Sequence, residues 1–176
     1  MKNFLLVFLF LLTTTLAFSQ DSYYGIRGGL NITNLDFEPN PTFNNSHRNG
    51  LFFGGFVGWY ISDNTSILAE LQYSAEGAKP ENLRADYIQL PVLLRFHLGE
   101  RFTIGIGPML SLKTWSFEDN FSTFVASGVG GIEYMITDRL FIDARINYGL
   151  TNILDEVLTP LEAKNTAIQF GFGVKI

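Results

Sequence analysis

Reactive side chains are scarce in this 176-residue chain, which has no cysteine and only two histidines, His47 and His97. Without cysteine there is no thiolate nucleophile, no disulfide framework and no cysteine-ligated metal. Two histidines far apart in sequence do not offer the ligand cluster of a zinc centre. One grouping has the residue types for acyl or lipid chemistry: Ser46, His47 and Asp36 lie in one polar stretch and could serve as nucleophile, base and orienting acid. No spacing signature supports them, so the stretch reads as a polar loop and no catalytic residue is expected. The glycine clusters Gly28-Gly29, Gly54-Gly55 and Gly128-Val129-Gly130-Gly131 match neither a P-loop nor a dinucleotide fingerprint. No helix follows any of them to cap a phosphate, and no cofactor is expected.

The elements that carry these residues are strands. Residues 20–176 alternate apolar and small or polar side chains with period two, punctuated by turn residues. In the first run Tyr24, Ile26, Gly28, Leu30 and Ile32 oppose Gly25, Arg27, Gly29 and Asn31. The third sets Ile67, Ala69, Leu71 and Tyr73 against Leu68, Glu70, Gln72 and Ser74. The fourth sets Ile88, Leu90, Val92, Leu94 and Phe96 against Gln89, Pro91, Leu93 and Arg95. The fifth, Phe102 to Lys113, contains Pro108, which calls for a bulge or a distorted ladder. The seventh and eighth, Leu140–Gly149 and Ile168–Ile176, alternate cleanly. The second, Leu51–Ile61, and the sixth, Phe124–Met135, are apolar or glycine-rich on both faces, which leaves their register open.

Eight runs of this length suit tilted strands crossing a hydrocarbon layer. Short connections (62–65, 99–101, 137–139) alternate with long polar ones (33–50, 74–84, 113–120, 151–164), the asymmetry of an outer-membrane barrel with tight periplasmic turns and free extracellular loops. Tyr24, Trp59, Phe102 and Tyr134 fall near one set of ends, and Tyr73, Trp115 and Tyr148 near the other, as two aromatic girdles would. The fold expected is all-β, an eight-stranded antiparallel up-and-down transmembrane β-barrel.

A soluble lipocalin-like ligand carrier would also have eight strands, but its outer face would be dense in charge. Here the polar face is glycine-rich with scattered charges, which suits a narrow interior filled by side chains. With that face inward, the lumen receives Arg27, Glu70, Gln72, Gln89, Arg95, Glu133, Asp143 and Arg145, together with Lys113, Gln169 and Lys175. Charges in so narrow a space must pair, so a network that plugs the lumen is expected, with Arg27, Glu70, Arg95 and Arg145 side by side.

Residues 1–19 have the form of a secretory signal, with Lys2 before an apolar run from Phe4 to Leu12 and a small-x-small site at Ala17-Phe18-Ser19. The barrel domain is then 20–176. Loss of Lys2 takes the formal charge from −5 to −6, which argues against nucleic acid as a partner. The long connections hold Asp36, Glu38, Glu76, Glu81, Asp86, Glu118, Asp119, Asp155, Glu156 and Glu162 against Arg48, Lys79, Arg84 and Lys164; ten minus four equals the whole excess of six. These acids read as solvated rather than as divalent-cation ligands, so no metal is expected.

The stretches Leu68-Ala69-Glu70-Leu71-Gln72-Tyr73-Ser74, Asp86-Tyr87-Ile88-Gln89-Leu90-Pro91 and Asn147-Tyr148-Gly149-Leu150-Thr151-Asn152-Ile153, with Gly29-Leu30-Asn31, resemble the PorT-type outer-membrane β-barrel family of Bacteroidetes. The resemblance spans the mature chain. It implies an outer-membrane location in a family whose best-known member is associated with type IX secretion, and the chain departs from the common pattern of such barrels in ending on Ile176 rather than on an aromatic residue. The function expected is a structural or interaction role in the cell envelope. Its partners would be outer-membrane lipids and envelope or secretion-system proteins met through the extracellular loops. A small-solute channel and an outer-leaflet lipid-modifying enzyme are the alternatives.

Overall fold

The computed structural model describes residues 22–38, 46–116, 121–154 and 162–176. The leader expected over 1–19 lies outside them, as do the loop acids Glu118, Asp119, Asp155 and Glu156. Eight strands follow one another: β1 (Ser22–Glu38), β2 (Arg48–Ser62), β3 (Thr65–Gly77), β4 (Arg84–Leu98), β5 (Phe102–Ser116), β6 (Phe124–Met135), β7 (Leu140–Gly149) and β8 (Glu162–Lys175). Each pairs antiparallel with the next, and β8 closes on β1. Closure pairs every strand on both sides, so no edge of unsatisfied N–H and C=O groups faces the lipid.

The alternation sorts side chains by face. Leu30, Phe53, Ile106 and Leu110 are each about 60% exposed on the outer wall, whereas Arg27, Glu70, Gln89 and Gln169 are buried within. A soluble barrel could not leave so continuous an apolar wall in water. In β2 the inner face is Phe52, Gly54, Phe56 and Gly58, and in β6 it is Val125, Ser127, Val129, Gly131 and Glu133. Tyr24, Trp59, Phe102, Trp115 and Tyr148 all point outward.

Several strands are longer than the alternation predicts, reaching 17 residues in β1. Asp36, Glu38, Arg48, Glu76, Arg84, Asp86, Glu162 and Lys164, expected in loops, therefore lie on strands. Pro108 induces no bulge. The β4·β5 pairing lapses opposite it, between Pro91↔Met109 and Leu94↔Ile106, and resumes in the same register. Pro91 does the same to β3·β4, between Ala69↔Val92 and Gln72↔Gln89. A missing N–H removes ladder bonds without adding a residue, so register survives. The bulge falls instead at Asp86/Tyr87 opposite Trp115 and Lys113.

Two apolar clusters stopper the lumen. At the end with short turns, Tyr23, Phe56, Leu68, Leu93, Met109, Val129 and Phe141 pack across the barrel, with Phe56 and Phe141 edge to face at 5.8 Å. At the other end Leu35, Phe37, Leu83, Tyr87, Phe121, Ile153 and Leu154 pack together. Isolated bridges His47↔Ala78 and Phe121↔Leu154 draw the long connections over that mouth.

Candidate functional site

Between the two stoppers the lumen is built in polar layers. Arg27 of β1 is the hub of the first. Its Nε and Nη2 grip both carboxylate oxygens of Asp143, and Nη1 donates to Glu70 Oε1 and Gln72 Oε1, each at 3.0 Å. Glu70 Oε2 accepts from Arg145 Nη1 at 2.7 Å. The four charges alternate in sign, and the Arg27 guanidinium lies 4.3 Å over the Phe52 ring. Glycine makes the space: a Cβ at Gly171 would stand 2.6 Å from Asp143 Oδ2 and 2.9 Å from Arg27 Nη2.

Arg95 does not join this group, contrary to the side-by-side arrangement expected of it. It sits nearer the periplasmic stopper, with Nη2 2.7 Å from Glu133 Oε1 and Nη1 2.9 Å from the Tyr23 hydroxyl. Lys175 donates to the same Glu133 oxygen at 2.8 Å and lies over the Tyr23 and Phe141 rings. β4 and β1 are separated by two strands, and the tilt carries the Arg95 position about one layer below Arg27. Beside them, Ser66 Oγ is 2.9 Å from His97 Nε2, and His97 Nδ1 is 3.1 Å from Thr103 Oγ1. Ser66 is fully buried and also bonds Tyr23, so this pair ties strands together rather than presenting a nucleophile.

Above the Arg27 hub the side chains form a directional chain. Arg27 Nη1 donates to Gln72 Oε1, Gln72 Nε2 donates to Gln89 Oε1 at 2.7 Å, and Gln89 Nε2 donates to Glu76 Oε1 at 2.9 Å. Each amide passes the polarisation on, so the cationic hub and the distant carboxylate strengthen the bonds between them. Glu76 also accepts from Ser74 and Asn165. Among the lumen residues named, five bases (Arg27, Arg95, Lys113, Arg145, Lys175) stand against four acids (Glu70, Glu76, Glu133, Asp143).

Glu70, Gln72, Asp143, Arg145 and Arg27 are thus joined in one layer, Gln89 in the next, and Arg95 with Glu133 below. Sequence reasoning missed Glu76, Tyr23 and Asn165 as lumen residues. Glu76 continues the inward parity of Glu70, Gln72 and Ser74, a signal that the loop-like 74–84 segment masked. Lys113 points toward the outer stopper, donating to the Phe121 carbonyl at 2.6 Å. Asp36 accepts from Thr166 of β8 and from Asn34 of its own strand, while His47 bridges to Ala78 beyond the end of β3.

An apolar outer wall, aromatic girdles, short turns at one end and a polar lumen define a small transmembrane barrel of the outer membrane. The chain belongs to the outer membrane protein beta-barrel domain family, whose model matches residues 4–175. Among solved structures it is similar to Neisserial surface protein A, at 13% identity and a TM-score of 0.61, covering 89% of this chain and 100% of that one. It is also similar to Ail, the attachment invasion locus protein of Yersinia pestis, at 15% identity and a TM-score of 0.55, covering 89% and 99%. At such identities the likeness is one of fold. No match is found among curated proteins.

Proposed function

We propose that this outer-membrane barrel is sealed and non-catalytic, and that it acts through its extracellular end, as a structural or interaction protein of the envelope. The observation that carries the reading is the double closure of the lumen by the Phe56–Phe141 and Leu35–Tyr87 clusters around a polar interior whose Arg27, Glu70, Asp143 and Arg145 pair with one another. Eight strands leave an interior just wide enough for side chains to fill, and here they fill it. The described parts of the long connections, residues 78–83, 121–123 and 150–154, pack over the outer mouth and offer an ordered surface, which binds at lower ordering cost than mobile segments. A cell-surface contact role accords with the likeness to the attachment protein of Yersinia pestis. The motifs shared with PorT-type barrels of Bacteroidetes favour secretion-system or envelope proteins as partners, with lipid of the outer membrane around the wall.

The test is site-specific photocrosslinking in cells from exposed cap positions Lys79 and Glu81, with the lipid-facing Ile106 as control. A single envelope protein captured from the cap and not from Ile106 supports an interaction role. Crosslinks to lipid alone from every position oppose it. A lipid product lost on His47→Ala would establish the enzyme reading instead.

A further inference from the structure

The outer half of the lumen differs from the inner half in one chemical respect. Glu70, Asp143 and Glu133 each touch a guanidinium or ammonium group. Glu76 is 2% exposed, and among the described residues its carboxylate oxygens accept only from the neutral Ser74, Gln89 and Asn165. The nearby cation, Arg48, spends its Nη1 on the Glu76 backbone carbonyl and on Asp86. A carboxylate offers about four lone-pair sites, so Glu76 retains one on Oε2.

Near it are side-chain atoms that are buried and, among the described residues, without a hydrogen-bond partner: Asn31 Oδ1 and Asn165 Oδ1, whose amides bond Ser74 and Glu76, and the hydroxyl of Tyr87, which faces Ser74 across the β3·β4 ladder. With Glu76 ionised, Asn165 turns its amide nitrogen to the carboxylate, and Asn31 Nδ2 donates to Ser74 Oγ, whose own proton goes to Glu76. Both carbonyl oxygens are then left over as acceptors beside the carboxylate. Asn31 and Asn165 are 0% and 8% exposed, and buried polar atoms in folded proteins are otherwise paired.

We propose a cation site at this end of the lumen: Glu76, with the side-chain carbonyls of Asn31 and Asn165 and the Tyr87 hydroxyl, holds one hard monovalent cation of the sodium class. All-oxygen ligation selects hard cations, and a single carboxylate among neutral oxygens matches one positive charge better than two. The ion gives the uncompensated carboxylate its counter-charge and the orphaned carbonyls their partner. It fills the lumen rather than crossing it, since both ends are stoppered.

The experiment compares thermal unfolding of the full barrel, read by the shift in gel mobility on heating, in sodium chloride and in choline chloride at equal ionic strength. Sodium is expected to raise the midpoint by about 3–5 °C at ten times its Kd, and further with the logarithm of its concentration. Glu76→Gln should abolish the response. It should still fold, because Asn165 can rotate to present Oδ1 to the new amide. A midpoint indifferent to sodium, or a response that persists in Glu76→Gln, would overturn the site. Crystals of the unaltered protein soaked in rubidium give a second reading: an anomalous peak beside Glu76, Asn31 and Asn165 supports it, and ordered water alone there refutes it.

Discussion

The lumen solves the same problem twice by different means. In the inner half, Arg27, Glu70, Asp143 and Arg145 neutralise one another by direct contact, with Arg27 gripping both Asp143 oxygens. In the outer half, Glu76 is held by hydroxyl and amide donors, and its charge is reached by Arg27 only through Gln72 and Gln89. The inner arrangement spends guanidinium groups on rigidity. The outer one leaves polar atoms over, the condition for holding something else. Two halves of one narrow tube can thus differ in what they can bind while both remain closed.

The contrast is sharpest at the two glutamates. Glu70→Leu strips a partner from Arg27 and Arg145 at once, and breaking buried pairs of this kind costs about 3–5 kcal/mol. Glu76→Gln should cost under about 1 kcal/mol in sodium-free solution, since neutral donors remain and the amide can be accommodated. Urea unfolding of the two variants in lipid vesicles measures both, and the reverse order would dissolve the distinction.

A smaller difference separates the inside of the wall from the outside. Gly171→Ala forces a methyl against Asp143 and Arg27 and should destabilise by about 1–3 kcal/mol, as overpacking does. Gly130→Ala places a methyl where nothing lies within 4 Å, on the lipid side, and should stay within about 0.5 kcal/mol. Equal losses in the same unfolding assay would mean that the strand faces are not sorted as described. Smallest of all is Arg48→Ala at the outer rim, whose pair with Asp86 at 3.4 Å is partly exposed. A loss of no more than about 1 kcal/mol is expected there, shrinking as salt is added.

The barrel was legible because its wall obeys a strict period of two, and a charge on the wrong face cannot be hidden in lipid. Arg27, Glu70, Asp143 and Arg145 were placed by parity alone. What parity could not supply was depth. Strand tilt decides which residues of different strands share a layer, so Arg95 was grouped with Arg27 when it belongs with Glu133 and Lys175. Strand ends were hidden for a related reason. Above the lipid the outer face turns polar, alternation fades, and Glu76 and Asp86 read as loop although the ladder continues through them. Glycine-rich faces of β2 and β6 carried no register signal, which only pairing with β1, β3, β5 and β7 settles.

Closure of the lumen is tested most directly by ion conductance of the purified, heat-modifiable barrel in planar lipid bilayers. The expected trace is a flat baseline over the whole voltage range, for the unaltered protein and for Glu76→Gln alike. Steady, reproducible conductance steps from the unaltered protein would contradict the sealed barrel and make a solute channel of it.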